Sequence, residues 1–290
     1  MTHDIAVAPA HGPASRVPSG RRRGYGVLLI VLGATLVLNS VLGPLLTGVI
    51  DFPVAETVRN QLIGLELVSV VFVAPLCVVA GVLAMRGHPA AGVLGFGPAA
   101  YTAYMFVQYV VGPAYRTYNL AVLFHVAVFA LGAAVAVLAW SATDTARLPT
   151  LTRVRERWYG GLLVVLAVFV AARYAGAVTG VGSPIAAEFA ESPAFYWSIV
   201  LLDLGIVVPA TAVSGVALIR GSRAAHTALY AVLGWFALVP PSVAAMSLAM
   251  VVNDDRYASV GQTVMLGVVS VLFLAAAVWI YRPLFGKAGR

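Results

Sequence analysis

At 290 residues, with 61% hydrophobic and only 10% charged side chains and a mean hydropathy of +0.94, the chain has more apolar surface than a soluble core can bury. The excess must face lipid. A net charge of +7 would suggest nucleic acid in a soluble domain, but these arginines lie between apolar runs, where they set topology, so no nucleic-acid partner is expected.

Residues 1–20 are polar, with Gly12, Pro13, Pro18 and Ser19, and read as a disordered cytoplasmic tail. Spanning about 30 Å of hydrocarbon takes about 20 apolar residues. Runs of that length occur near 25–49, 60–85, 89–111, 117–140, 158–178, 194–219, 225–251 and 258–281. The expected fold is therefore all-α, a polytopic transmembrane bundle of about eight helices. The first run is too long for a signal-peptide core and should remain as a helix. Pro75 and Pro209 should kink the second and sixth helices, and Pro240 with Pro241 should distort the seventh. Two outer loops carry Pro-initiated acidic segments, Asp51-Phe52-Pro53 to Glu56 and Ser183-Pro184 to Glu191, which predict short interfacial helices, the second one longer.

Placing the N-terminus inside puts 14 basic residues in the inner segments, among them Arg86, Arg147, Arg153 and Arg220. The outer loops then hold only Arg59, Arg116 and Arg256. With an even number of spans both termini are cytoplasmic. Arg outnumbers Lys 17 to 1 and Ala, Val and Gly abound, a high-GC bacterial composition, so the expected location is a bacterial cell membrane.

The chain reads as duplicated. RRRGYGVLLIVL (21–32) matches RERWYGGLLVVL (155–166) at eight of twelve positions, and VAPLCVVAGVLAMRG (73–87) matches VVPATAVSGVALIRG (207–221) at seven of fifteen, both at an offset of 134. The Val and Leu identities mean little, but the shared Arg, Tyr-Gly, Pro, Gly and Arg-Gly positions predict a parallel tandem repeat of four plus four helices. The units are then 21–140 and 158–282, joined by a basic cytoplasmic linker at 141–157 and followed by a tail at 283–290.

Ionisable groups inside hydrocarbon are costly and so are candidates for function. Glu66 lies roughly 9 Å and Asp203 roughly 12 Å below the outer ends of their helices, with Arg173 near the outer end of the fifth. Asn39, Tyr104, Gln108, Asn119 and His125 fall in the same outer half. The inner halves hold little that is polar beyond Cys77, Ser214, Thr227 and Ser270. The pattern predicts a polar pocket open outward above a dry cytoplasmic plug. Each residue has a plainer reading. Arg173 paired with Glu66 or Asp203 is equally an internal ion pair. Tyr109, Tyr115 and Tyr118 suit an interfacial aromatic belt. His125 suits a hydrogen-bonded helix position.

Several chemistries are excluded. The single cysteine, Cys77, rules out an internal disulfide and quinone-linked thiol exchange. Only His125 among five histidines is clearly intramembrane, so haem ligated twice is not expected. The one lysine, Lys287, lies in the tail, which excludes a retinal Schiff base. No serine-hydrolase elbow, zincin or P-loop pattern occurs, and no cofactor or metal is expected.

DLGIVVPATAVSGVALIRG (203–221) and YNLAVLF (118–124) resemble stretches of a group of uncharacterised bacterial multi-pass membrane proteins. The resemblance covers about a tenth of the chain, implies no activity, and adds weight to Asp203, Pro209 and Gly215 as one unit. The leading expectation is a protein that binds or transports a small or amphiphilic ligand from the outer side. Arg173 would meet an anionic group, Asp203 and Glu66 would partner it, and Asn39, Tyr104, Gln108, Asn119 and His125 would supply hydrogen bonds. The alternatives are a membrane enzyme or cofactor-binding subunit acting at the outer face, and a structural or assembly partner.

Overall fold

The computed structural model describes residues 19–286. The described residues are mostly helical, with no strand. The expected tail at 1–20 lies outside them except for Ser19 and Gly20, which begin the first helix, and so do residues 287–290.

Eight long helical stretches follow one another: α1 (Ser19–Leu42), α2 (Glu56–Met85), α3 (Ala91–Val111), α4 (Leu120–Ala142), α5 (Arg153–Ala172), α6 (Pro193–Ile219), α7 (Ala224–Val252) and α8 (Val260–Tyr281). Six of them, all but α3 and α5, are long and apolar enough to cross a membrane. The helix α5 misses because Arg153, Arg155, Glu156 and Arg157 crowd its first turns. The helix α3 misses because Tyr, Gln, Gly and Pro dilute its apolar residues. Its surroundings explain that: α3 packs against α2, α4, α6 and α7, and most of its side chains are buried in protein rather than offered to lipid. In contrast, α8 exposes Val264, Met265, Val268, Val271, Leu272 and Trp279, the apolar face that a bilayer would cover.

Each proline expected to kink or distort a helix coincides with an irregularity in that helix. Pro75 and Pro209 have no N–H to give to the carbonyls four residues back, and their rings crowd those carbonyls. Just before each, the helix widens into one π turn, Ser69–Val73 in α2 and Asp203–Val207 in α6. The two turns are 134 residues apart. In α7 the helix breaks at Ala237 and Leu238, ahead of Pro240 and Pro241.

Glycines bring two helix pairs into close contact. A Cβ added to Gly81 of α2 would lie 2.7 Å from the Gly26 carbonyl of α1. A Cβ added to Gly215 of α6 would lie 2.7 Å from the Gly160 carbonyl of α5. Only glycine allows such backbone approach. These two contacts are also 134 residues apart.

Four expectations are corrected. The first helix ends at Leu42, not 49, because Gly43 and Pro44 follow; the chain turns and closes with Ile50 N–H donating to Leu42 O at 2.7 Å. The acidic segment after Pro53 is not a separate interfacial helix, because Glu56 opens α2 directly. The second acidic segment is not a longer interfacial helix but holds a single 3-10 turn at Ala187–Phe189. The fifth helix stops at Ala172, and a separate turn of helix occupies Ala175–Thr179.

The connections gather at two ends. At one, Ala55 N donates to Ser192 Oγ at 3.0 Å, Ala114 N to Pro53 O at 3.0 Å, and Arg256 pairs with Glu191 at 2.9 Å. This end also carries Asp51, Glu188, Asp254 and Asp255 and is called the acidic end. At the other, Thr145 meets Thr227 at 3.0 Å, and Arg153 donates to Ile219 O at 2.8 Å. Arg86, Arg147, Arg220 and Arg223 make it the basic end.

Candidate functional site

Glu66 and Asp203 are buried to 1% and 4% exposure inside the helix bundle. An isolated charge there is costly, so what surrounds each carboxyl group decides what it can do. Neither has an arginine, lysine or histidine within salt-bridge distance among the described residues. Both are held by neutral donors.

Four helices build the Glu66 cluster. From α1, Asn39 Nδ2 donates to Oε1 at 2.9 Å and Ser40 Oγ lies 2.5 Å from Oε2. From α3, the Tyr109 hydroxyl donates to Oε1. From α4, His125 Nε2 meets Asn39 Oδ1 at 3.0 Å. Since the Asn39 amide nitrogen is turned to Glu66, its oxygen takes a hydrogen from His125, which fixes the neutral Nε2–H tautomer. His125 Nδ1 is then a lone pair, buried and without a partner. Phe52, from the loop after α1, stacks flat on His125 with ring centroids 5.3 Å apart and packs 4.9 Å from Tyr109. The cluster is thus closed on the acidic-end side by an aromatic ring that is 3% exposed.

The Asp203 cluster is smaller. The Tyr104 hydroxyl of α3 donates to Oδ1 at 2.7 Å, and that of Tyr174, just past α5, donates to Oδ2 at 2.5 Å. Asp203 opens the π turn of α6. The helix α3 therefore supplies one tyrosine to each carboxyl group.

Above these clusters, at the acidic end, three loops enclose a cleft of about 700 Å³ lined by Asp51, Pro53, Tyr115, Arg116, Asn119 and Glu191, among others. Asp51 faces Arg59 at 3.4 Å and Glu191 faces Arg256 at 2.9 Å, whereas Arg116 has no carboxylate partner among the described residues. The Tyr115 hydroxyl is buried without a partner, and burial, aided by the charge of Asp51, pushes its pKa up to about 12. Beside the cleft, Asp255 is drawn to α2 by Asn60 at 2.8 Å and Thr57 at 3.4 Å. Partial burial works to raise Asp255, but those bonds and the Tyr257 N–H outweigh it and hold the carboxyl below its ordinary range. Burial and the charge of Asp255 together hold Glu188 above its own.

No family model, curated protein or solved structure matches this chain. The site must therefore be read from its own residues.

Of the candidates expected from the sequence, Glu66, Asn39 and His125 meet in one cluster, and Asp203 and Tyr104 in the other. Arg173 joins neither as an ion pair. It caps the end of α5, is exposed, and lies 6.0 Å from the ring centre of Tyr174. At a helix end, a long side chain reaches water more cheaply than it reaches a buried acid. Gln108 is buried but gives no hydrogen bond to either carboxyl group, and Asn119 is an exposed N-cap, accepting from Ala121 N at 2.8 Å while lining the cleft. The carboxyl groups are enclosed, and neither lines the cleft.

The sequence reading missed Ser40, Tyr109, Tyr174 and Phe52. Tyr109 stood in the interfacial belt because it is near a helix end, yet it shares a buried face with Met105 and Tyr101, four and eight residues back. That spacing was the available signal. A further acid went unremarked at the basic end. Glu156 pairs with Arg153 at 2.8 Å and His226 at 2.9 Å and ties α5 to the first turn of α7.

Proposed function

We propose that the chain is an integral membrane protein that binds or transports a small or amphiphilic ligand through the cleft at its acidic end. The observation that carries this reading is the cleft itself, about 700 Å³, within the size range of small-molecule sites. Its lining cation Arg116 lacks a carboxylate, and its buried Tyr115 hydroxyl lacks any partner. An anionic group on the ligand would meet Arg116, and Tyr115 would hydrogen-bond it. Glu66 and Asp203 lie behind the cleft rather than in it.

The topology belongs to the same proposal. Eight spans, with α3 shielded by its neighbours and α5 entering the bilayer beyond its arginines, put the acidic end outside and both termini in the cytoplasm of a bacterial cell. The matched π turns and matched glycine contacts, each 134 residues apart, support two parallel four-helix repeats.

Binding of a dihexanoyl phosphatidylglycerol probe to the purified protein tests the reading. The wild type should bind it more tightly than the phosphatidylcholine of equal chain length. Arg116→Ala should lose that preference by about tenfold, the value of one charge-assisted contact of about 1.4 kcal/mol. Equal affinity of wild type and variant would remove the cleft as the site. A structural role for Glu66 and Asp203 is the rival reading, favoured by how fully their oxygens are engaged inside the protein.

A further inference from the structure

The hydrogens around Glu66 do not add up to a single arrangement. Ser40 has one hydroxyl hydrogen and two acceptors in reach, Leu36 O at 3.0 Å and Glu66 Oε2 at 2.5 Å. If Glu66 is ionised, Ser40 gives its hydrogen to Oε2, and with Asn39 and Tyr109 three donors meet the carboxylate. If Glu66 is protonated on Oε2, that hydrogen is donated to Ser40 Oγ, and Ser40 turns its own hydrogen to Leu36 O. Both arrangements satisfy the carboxyl oxygens and every group that bonds them, and no heavy atom need move between them. Ordinarily a buried carboxyl satisfied in one protonation state leaves a donor or an acceptor stranded in the other.

We propose that Glu66 is a reversible proton-binding site, with Ser40 as the hydroxyl that reorients between the two states. The proton comes from water, ends on Glu66 Oε2, and returns by the same route. The ligand is thus the proton itself. This inference concerns the buried cluster and stands whether or not the cleft takes a ligand.

The surroundings suit that role. No cation faces the carboxyl group from any packed element. The helix α1 brings Asn39 and Ser40, α3 brings Tyr101 and Tyr109, α4 brings His125, and the Val239–Val252 part of α7 brings no titratable side chain. Glu56 and Arg59 of α2 itself lie at its acidic-end start. With no fixed positive charge, the charge of Glu66 is free to change without breaking an ion pair. Contacts of 2.5 to 3.0 Å between the oxygens and nitrogens here are donor–acceptor distances, so a proton fits where a metal ion would have to push them apart. Phe52 covers the cluster through His125 and Tyr109, while its neighbours Asp51 and Pro53 line the cleft. Displacing Phe52 would therefore admit water from the acidic end.

Infrared difference spectroscopy of the full-length protein in nanodiscs, between alkaline and acid pH, tests the proposal. The wild type should show a protonated-carboxyl C=O band that grows as pH falls. Glu66→Gln should remove one component of the band, and Asp203→Asn should keep that component. Ser40→Ala should keep the band but shift its frequency, because the acceptor of the carboxyl hydrogen is gone. Phe52→Ala should make the band form several-fold faster after a pH jump. Superimposable difference spectra of wild type and Glu66→Gln would overturn the proton site. Should Glu66→Gln fail to fold, an unshifted band in Ser40→Ala would overturn it instead.

Discussion

Replacing Tyr109 with Phe removes one atom from the Glu66 cluster and little else. The ring is packed 4.9 Å from Phe52, 5.1 Å from Phe106 and 5.5 Å from His125, and phenylalanine keeps all three contacts. What goes is the hydroxyl that donates to Glu66 Oε1 in a site where both residues are 1% exposed. A hydrogen bond to a charged group contributes about 1.5–3 kcal/mol. Asn39 and Ser40 still serve the carboxyl group, so the lower end applies, about 1.5 kcal/mol, or roughly tenfold in the unfolding constant. Denaturant titration in mixed micelles reads the loss. The decisive form is a double-mutant cycle with Glu66→Met, which keeps length and removes both acceptors. In that background Tyr109→Phe should cost at most about 0.5 kcal/mol, giving a coupling of about 1 kcal/mol. Additive costs would show that the hydroxyl and the carboxyl do not act on one another, and the cluster as described would be wrong.

The remaining predictions concern packing, the acidic end and the lone arginine. Gly81→Leu and Gly215→Leu should each destabilise by about 3 kcal/mol or prevent accumulation, because the added Cβ meets a carbonyl at 2.7 Å, whereas Gly161→Leu, with open space, should be tolerated; expression and thermal unfolding distinguish them. Asp255 is depressed in the folded protein, so its contribution is complete above the ordinary carboxylate range, near pH 4, and is lost as pH falls through the lower folded value. Protection of the Asn253–Tyr257 turn from hydrogen exchange should weaken below about pH 4, and Asp255→Asn should lose that pH dependence at a cost of about 1 kcal/mol. Arg173→Gln should change stability by less than about 0.5 kcal/mol, since the side chain is exposed and unpaired; a larger loss would mean an ion pair with Asp203 after all.

The features readable in the sequence were those that depend on residue type along the axis. Apolar run length marked the long helices. Pro75, Pro209 and the Pro240-Pro241 pair marked where backbone hydrogen bonding fails, and irregular turns or breaks lie there. Glu66, Asn39 and His125 met because rare polar groups at one depth in an apolar bundle have few partners other than each other. The unreadable features depend on rotation about the helix axis and on the reach of flexible side chains. Arg173 has the right depth to pair with Asp203, yet its position at a helix end lets it turn to solvent while Tyr174, one residue on, takes the inward place. Glu156 sits among arginines and reads as a surface charge, but its helix face turns it onto His226. Phe52 belongs to a loop, where spacing gives no face to infer.

Side-specific cysteine labelling measures most directly whether the acidic end, with its cleft, faces outward. In a Cys77→Ala background, with that buried thiol removed, single cysteines are placed by Arg116→Cys at the acidic end and Arg86→Cys at the basic end, both exposed positions. A membrane-impermeant maleimide should label position 116 in intact cells and position 86 only after permeabilisation. Labelling of position 86 in intact cells, with position 116 protected, would invert the protein in the membrane and contradict the account.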